Sequence, residues 1–166
     1  MKEITNDDRL FYFSRHFFTL DGLWIIETEK ATDFDIALKI DLAVWLALLK
    51  IAYKRIKEYL KTDTTTVSGV IDVLAFRWGC EGWTFSVEQP SPREARASIS
   101  RCPYKEIMDR SEGRKAVIPR ICKDICIPIY DSAIRSLNPA VRLRRTKFMG
   151  LGDDQCSFEL TMEEKH

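Results

Sequence analysis

The period of hydrophobic and polar positions changes part-way along this chain. Residues 34–60 carry Ile36, Ile40, Val44, Leu48 and Ile51 at helical spacing, widened by Leu42, Trp45, Leu46 and Leu49. Apolar residues recurring every three or four positions predict one long, mostly buried helix with that stripe turned inward. Asp33 suits its N-cap. Lys54, Arg55, Lys57 and Lys61 suit its far end, where the helix dipole favours cations. Before it, residues 9–20 read as a short helix with an aromatic face of Phe11, Phe13, Phe17 and Phe18. Asp21-Gly22 then opens a second helical segment over residues 23–30. Residues 64–79 give a further helix, with Thr64 to Thr66 as caps, Val67, Val70, Ile71 and Leu74 at helical spacing, and Gly79 as the stop.

Beyond residue 80 the period falls to two. Trp83, Phe85 and Val87 alternate with Thr84, Ser86 and Glu88, Pro90 and Pro92 mark a turn, and residues 94–101 return with Ala95, Ala97 and Ile99 inward. Cys102-Pro103 ends that strand and opens a short helix, closed by Gly113. Pro119 opens a last helix running to about residue 137, and Pro128 inside it predicts a kink. Residues 141–149 alternate loosely; Cys156, Phe158, Leu160 and Met162 alternate strictly. Between them Gly150, Gly152, Asp153 and Asp154 supply a turn. The expected fold is α+β: an antiparallel sheet of about four strands from two β-hairpins, packed against a helical layer. It forms a single domain over residues 1–166, with a helical part (1–80) and a hairpin-helix-helix-hairpin part (81–162).

A chain of 166 residues, 45% hydrophobic and 31% charged, describes an ordinary globule. A net charge of +1 gives no drive toward nucleic acid or an anionic membrane. The basic run Arg142, Arg144, Arg145 and Lys147 has no aromatic stacking platform apart from Phe148. The start is acidic and polar, unlike a signal peptide. Lys39, Asp41 and Lys50 interrupt the most apolar run, so it is no bilayer span. These features point to a cytoplasmic protein without nucleic-acid or membrane partners. The aromatic N-terminus suits a homodimer contact.

The chemistry that composition leaves open centres on thiols. Five cysteines in a cytoplasmic chain are expected to be reduced. Cys102 falls at a strand-to-helix junction, Cys122 and Cys126 four apart on one helix, and Cys156 at the start of the last strand. Three readings compete. Buried cysteine is a common core filler, and that reading carries the most weight. Thiolates also bind zinc and iron–sulfur clusters, but Cys-x3-Cys within a helix is no zinc pattern, so no metal is assigned. Finally, the thiols could line a small-molecule pocket, one of them acting as nucleophile. A helix start lowers a thiol's pKa, which singles out Cys102 and Cys122. Asp124 or Asp153 could then hold a proton. Trp24, Glu27, Asp41 and Trp45 offer an aromatic and acidic lining, although a carboxylate such as Asp41 is more often simply paired at a helix edge.

Arg145-Thr146 followed by Gly152-Asp153-Asp154-Gln155-Cys156-Ser157-Phe158 resembles the C-terminal signature of the L-2-amino-thiazoline-4-carboxylic acid hydrolase-like family. Arg101-Cys102-Pro103-Tyr104-Lys105-Glu106 and Ile121-Cys122-Lys123-Asp124 follow the order and spacing of that family. The ending is also similar to the wider 4-vinyl reductase type of small-molecule-binding domain. The resemblance implies hydrolytic ring opening of a 2-amino-thiazoline. Water or a thiol attacks the amidine-like carbon while an acid protonates the ring nitrogen. It transfers Cys102, Cys122, Asp124, Asp153 and Cys156 as catalytic candidates by motif position, with no cofactor specified. Arg101, Arg120 or Arg145 would pair with a substrate carboxylate. The second resemblance implies instead a non-enzymatic module whose ligand lies in an apolar tunnel lined by Trp24, Trp45, Trp83 and Phe158.

Overall fold

The computed structural model describes residues 2–162. It divides into two compact units, one ending at Asp41 and the other beginning at Leu42.

In the first unit the two expected helical segments are one helix, α1 (Asn6–Ala31). A glycine inside a helix costs about 1 kcal/mol, too little at Gly22 to break a run capped at its start. Thr5 and Asp8 form a capping box there. No residue of α1 is buried. Helix α2 (Phe34–Leu60) begins as expected: the Asp33 carboxylate accepts the Ile36 N–H at 2.8 Å.

The buried side of α2 is not the expected one. Ile36, Ile40, Val44, Leu48 and Ile51 are 38–51% exposed, whereas Ala37, Leu38, Asp41, Trp45, Leu49 and Tyr53 are buried. Both flanks of α2 are apolar, so period alone cannot choose between them. Within the second unit, a buried cation on the next helix decides it. Arg77 of α3 (Val67–Cys80) lies under the rings of Trp45 (5.4 Å) and Tyr53 (5.9 Å) and donates to the Tyr53 hydroxyl at 3.2 Å. Its Nε donates to Glu81 at 2.7 Å. Burial pulls the Arg77 value down, but Tyr53, Tyr130 and Glu81 outweigh it and hold the guanidinium charged.

Strands β1 (Thr84–Ser91), β2 (Glu94–Arg101), β3 (Val141–Arg144) and β4 (Cys156–Met162) form one antiparallel sheet in the order β1-β2-β4-β3. It is built from the two expected hairpins, joined through β2 and β4. Their register sets Ala95 opposite Leu160, Ala97 opposite Phe158 and Ile99 opposite Cys156. Each of these pairs sets a small residue against a large one, Ala95 and Ala97 on β2 and Cys156 on β4, which leaves room for the side chains of α3. Trp78 of α3 meets Phe158 edge-on at 5.0 Å and donates its indole N–H to Tyr130 at 2.8 Å.

Helix α4 (Pro103–Arg110) follows β2. The last helical stretch is three pieces: α5 (Ile118–Ile121), a wide π-turn (Cys122–Cys126) and α6 (Ile127–Leu137). The expected kink takes this form. Pro128 has no N–H to give and its ring crowds the carbonyl four residues back; the wider turn takes it up, with Ile127 N–H reaching Cys122 O. The second hairpin differs from expectation in length. β3 stops at Arg144, and residues 145–155 form a structured loop with a 3₁₀ turn at Met149–Leu151.

Asn138 ties the end of α6 to the start of α3. Its amide donates to Thr64 O at 2.9 Å and its carbonyl accepts the Ala140 N–H at 2.9 Å. Asn138→Ala leaves a buried carbonyl without that donor and should cost about 1–3 kcal/mol, read as a lower urea midpoint at unchanged slope.

Candidate active site

The candidate site assembles in the second unit where the loop after β3 folds over the π-turn and the start of β4. Strict alternation in β4 turns Cys156 inward. Ser157, its neighbour on the other face, organises the loop: its hydroxyl accepts N–H groups from Thr146 (2.8 Å) and Lys147 (3.0 Å). Asp153 accepts the Phe148 N–H at 2.7 Å, and the Met149 N–H points to Cys156 Sγ at 3.3 Å. Gly150 lies so close to the π-turn that a Cβ there would come within 2.0 Å of Cys122 Sγ. Only glycine lets the loop backbone rest on that thiol.

Arg145 reaches into this arrangement. Its Nε donates to Ser157 O at 3.2 Å and its Nη1 to Cys126 Sγ at 3.3 Å. The guanidinium carbon lies 4.0 Å from the Phe158 ring centroid, 4.6 Å from Phe148 and 5.5 Å from Tyr130. Three rings shield the cation and leave it directed at sulfur. Burial pulls the Arg145 value down, but Cys126 and Cys156 outweigh it and raise it.

The thiols are not equivalent. Burial raises Cys102 from an ordinary 9.0 to about 12, against a backbone hydrogen bond from Lys105 that works the other way. The helix start at Cys102 therefore acts as expected, but desolvation exceeds it. Burial likewise raises Cys122 to about 12, with Cys126 and Cys156 adding to it and Arg145 opposing. Cys156 is also raised, by burial. The low thiol pKa expected for Cys102 and Cys122 is thus corrected: both keep their protons at neutral pH. Arg145 addresses two of the thiols: its Nη1 donates to Cys126 Sγ at 3.3 Å, and it also acts on Cys156, against the effect of burial there.

The other candidates are held elsewhere. Asp124 pairs with Arg120 at 3.1 Å, one helical turn away. Asp153 caps the loop. Arg101 grips Glu106 with two bonds of 2.8 Å and donates to Gly82 O. Of the three arginines expected to receive a carboxylate, Arg145 is the one bonded to a thiol. Trp45 packs on Tyr104 at 5.6 Å, and Trp83 on the same ring at 5.8 Å, so an aromatic wall stands two residues from Cys102. Trp24 and Glu27 belong to the first unit, Trp24 exposed and Glu27 paired with Lys30; Asp41 is buried at that unit's end. Among the described residues no group of three or more His, Cys, Asp or Glu side chains is arranged to hold a metal ion. A cavity of about 290 Å³ between α2 and α6 is lined by Leu46, Leu49, Ile129 and Ala133, with Lys50 and Ser132. The tryptophans expected in a tunnel do not line it.

The sequence profile of the L-2-amino-thiazoline-4-carboxylic acid hydrolases matches residues 15–160. The chain belongs to that family. No curated protein matches it in sequence. A solved structure of similar fold is a trafficking protein particle complex subunit 3 from Naegleria fowleri, covalently bound to palmitic acid. It is 13% identical over 91% of this chain and 95% of its own, with a TM-score of 0.59. At that identity the likeness extends to the fold alone. It does reach the helical N-terminal half as well as the sheet. No helix among the described residues is long and apolar enough to cross a membrane.

Sequence reasoning did not select Cys126 as a site residue, because it lies outside the family signature. The signal available was its place four residues after Cys122 and next to a helix-distorting proline. The aromatic nest around Arg145 left no local signal, since Tyr130, Phe148 and Phe158 come from three separate segments.

Thiol chemistry checks this geometry. Exposed Cys80 should react with a disulfide reagent first, and Cys102 and Cys122 far more slowly at neutral pH, accelerating as the pH climbs above 9. Because both folded values are raised, the stability these thiols contribute is complete below about pH 9 and is lost as pH rises toward 12. An alkaline denaturation series should show that decline, and Cys102→Ala/Cys122→Ala should flatten it. Gly150→Ala should force the loop off Cys122, costing about 1–3 kcal/mol and speeding Cys122 alkylation.

Proposed function

We propose that this chain is a thiol-dependent hydrolase of a small cyclic carbon–nitrogen substrate of the 2-amino-thiazoline-carboxylate type. The observation that carries the reading is the Arg145 guanidinium, shielded by three rings and bonded to Cys126 within a group of four thiols. Family membership supports the substrate class, and the arrangement around Arg145 supports the residue roles.

A ring-opening hydrolysis needs a nucleophile for the amidine-type carbon and a proton for the departing ring atom. Cys126 is the nucleophile in this reading, since its sulfur receives the Arg145 N–H at 3.3 Å and so lies beside the charge that would bind a substrate carboxylate. Cys102 and Cys122 retain protons at neutral pH and act as donors. Cys156, anchored by the Met149 N–H, holds the loop against β4. Arg145 also offers the positive charge that a substrate carboxylate needs. Asp124 and Asp153 act through position, Asp124 by fixing Arg120 beside the π-turn and Asp153 by closing the loop.

A second reading is a ligand-holding module. The fold is shared with a protein that carries covalently bound palmitic acid, and a thiol beside a cation could hold an acyl group as a thioester. Intact mass of the purified chain separates the two: an added acyl mass on a cluster thiol supports the ligand-holding role, and an unmodified chain supports the hydrolase.

Turnover of 2-amino-thiazoline-4-carboxylate, followed by substrate loss, tests the reading. Cys126→Ala should lower kcat by on the order of a hundredfold or more. Arg145→Lys should lower kcat/KM through both thiol and carboxylate, because an ammonium cannot replace the planar fork. Wild-type rates in Cys126→Ala, Cys102→Ala and Cys122→Ala would remove thiol catalysis from the account.

A further inference from the structure

The cavity between α2 and α6 lies within the second unit, and its lining explains why it is there. Helix α6 lines it with Ile129, Ser132, Ala133 and Ser136, at i, i+3, i+4 and i+7, one face of a helix. Three of these four side chains are short, so the face of α6 does not reach α2 and about 290 Å³ stays open. Protein interiors hold few voids larger than a water molecule, so this space is large enough to receive a ligand. Its buried walls are apolar: Leu49, Ile129 and Ala133 are 2–6% exposed. Its polar groups are on exposed residues, Lys50 and Ser132. Nearby Lys54 pairs with Glu58 at 4.0 Å, whereas Lys50 has no ion pair among the described residues. No acidic side chain and no cysteine line the cavity.

We infer that this cavity binds a free medium-chain aliphatic carboxylate, its chain between α2 and α6 and its headgroup at Lys50. Apolar walls with a few polar groups at one side are the usual make-up of a small-molecule site: the walls supply affinity and the polar groups fix orientation. The size sets the chain. An apolar cavity of about 150 Å³ takes up benzene, so on that scale about 290 Å³ takes roughly twelve non-hydrogen atoms, enough for an eight-carbon acid. The charge sets the headgroup. A lone ammonium with no carboxylate beside it favours an anion over a neutral or cationic group, and the Ser132 hydroxyl adds a donor. A phosphorylated ligand fits less well, because one ammonium serves a single negative charge and the buried walls offer no donor side chain. The carboxylate of a hydrolase substrate belongs to Arg145 in the reading above; this second acid-binding site is independent of it.

Calorimetric titration of the full, reduced chain with octanoate is the test, with octanol and octylamine as probes of equal chain length. Octanoate should bind with a dissociation constant of about a millimolar or tighter, and octanol and octylamine at least about tenfold more weakly. Lys50→Glu should weaken octanoate at least about tenfold, while Lys50→Arg, which keeps the charge, retains it. Ala47 also lines the cavity, so Ala47→Phe places a ring in it and should abolish binding. Both positions are exposed on α2, and unchanged slow alkylation of Cys102 and Cys122 reports an intact fold. Three outcomes would overturn the inference: no octanoate binding by the wild type, octanol binding as tightly as octanoate, or an octanoate affinity unchanged in Lys50→Glu or Ala47→Phe. None of these readouts depends on turnover, so the acid-binding cavity and the hydrolase reading stand or fall separately.

Discussion

A guanidinium held among aromatic rings organises the candidate site. Arg145 is buried enough for desolvation to work against its charge, yet it remains a cation because sulfur and ring faces surround it. Its Nε and Nη1 reach different elements, one the backbone of β4 and the other the π-turn. One side chain therefore clamps the loop after β3, the last strand and the last helical stretch together. Without it, Cys126 would lose the N–H donor that reaches its sulfur.

The clamp works because each partner element is pinned by simpler forces. The β2–β4 register matches alanine to phenylalanine and leucine, and this fixes where Cys156 and Phe158 point. The Trp78–Tyr130 hydrogen bond ties α6 to α3, and with it the ring that lies near both Arg145 and Arg77. Pro128 forces the π-turn that presents Cys122 and Cys126 from a widened stretch of helix. Gly150 then allows the loop to close to within contact of Cys122. Strain-tolerant residues lie where the backbone approaches a thiol, and large apolar residues lie where the layers meet.

Much of the fold could be read directly from the sequence. The strict alternation from Cys156 to Met162 was decisive because one face of β4 is fully buried, and Asp33 was a sound N-cap because the cap is a local interaction. What could not be read depends on distant partners. Period alone left α2 two apolar sides, and Arg77, several turns away on another helix, selects the one bearing Trp45 and Tyr53. Local sequence placed Cys102 and Cys122 where a helix start should acidify them, but burial, a tertiary property, moves them to about 12 instead. The motif pointed to Cys102, Cys122, Cys156 and Arg145, which the fold brings near one another. It could not show that Cys126, outside the signature, also receives an Arg145 N–H.

The central claim is that a small cyclic substrate is received at the thiols around Arg145. Site-resolved alkylation of the five cysteines, by mass spectrometry with and without 2-amino-thiazoline-4-carboxylate, tests it most directly. The account predicts that the substrate slows labelling of Cys126 and its neighbours in the cluster, leaves exposed Cys80 unchanged, and gives no protection in an Arg145→Ala chain. Equal labelling of Cys126 with and without substrate, or protection that survives the loss of Arg145, would contradict it.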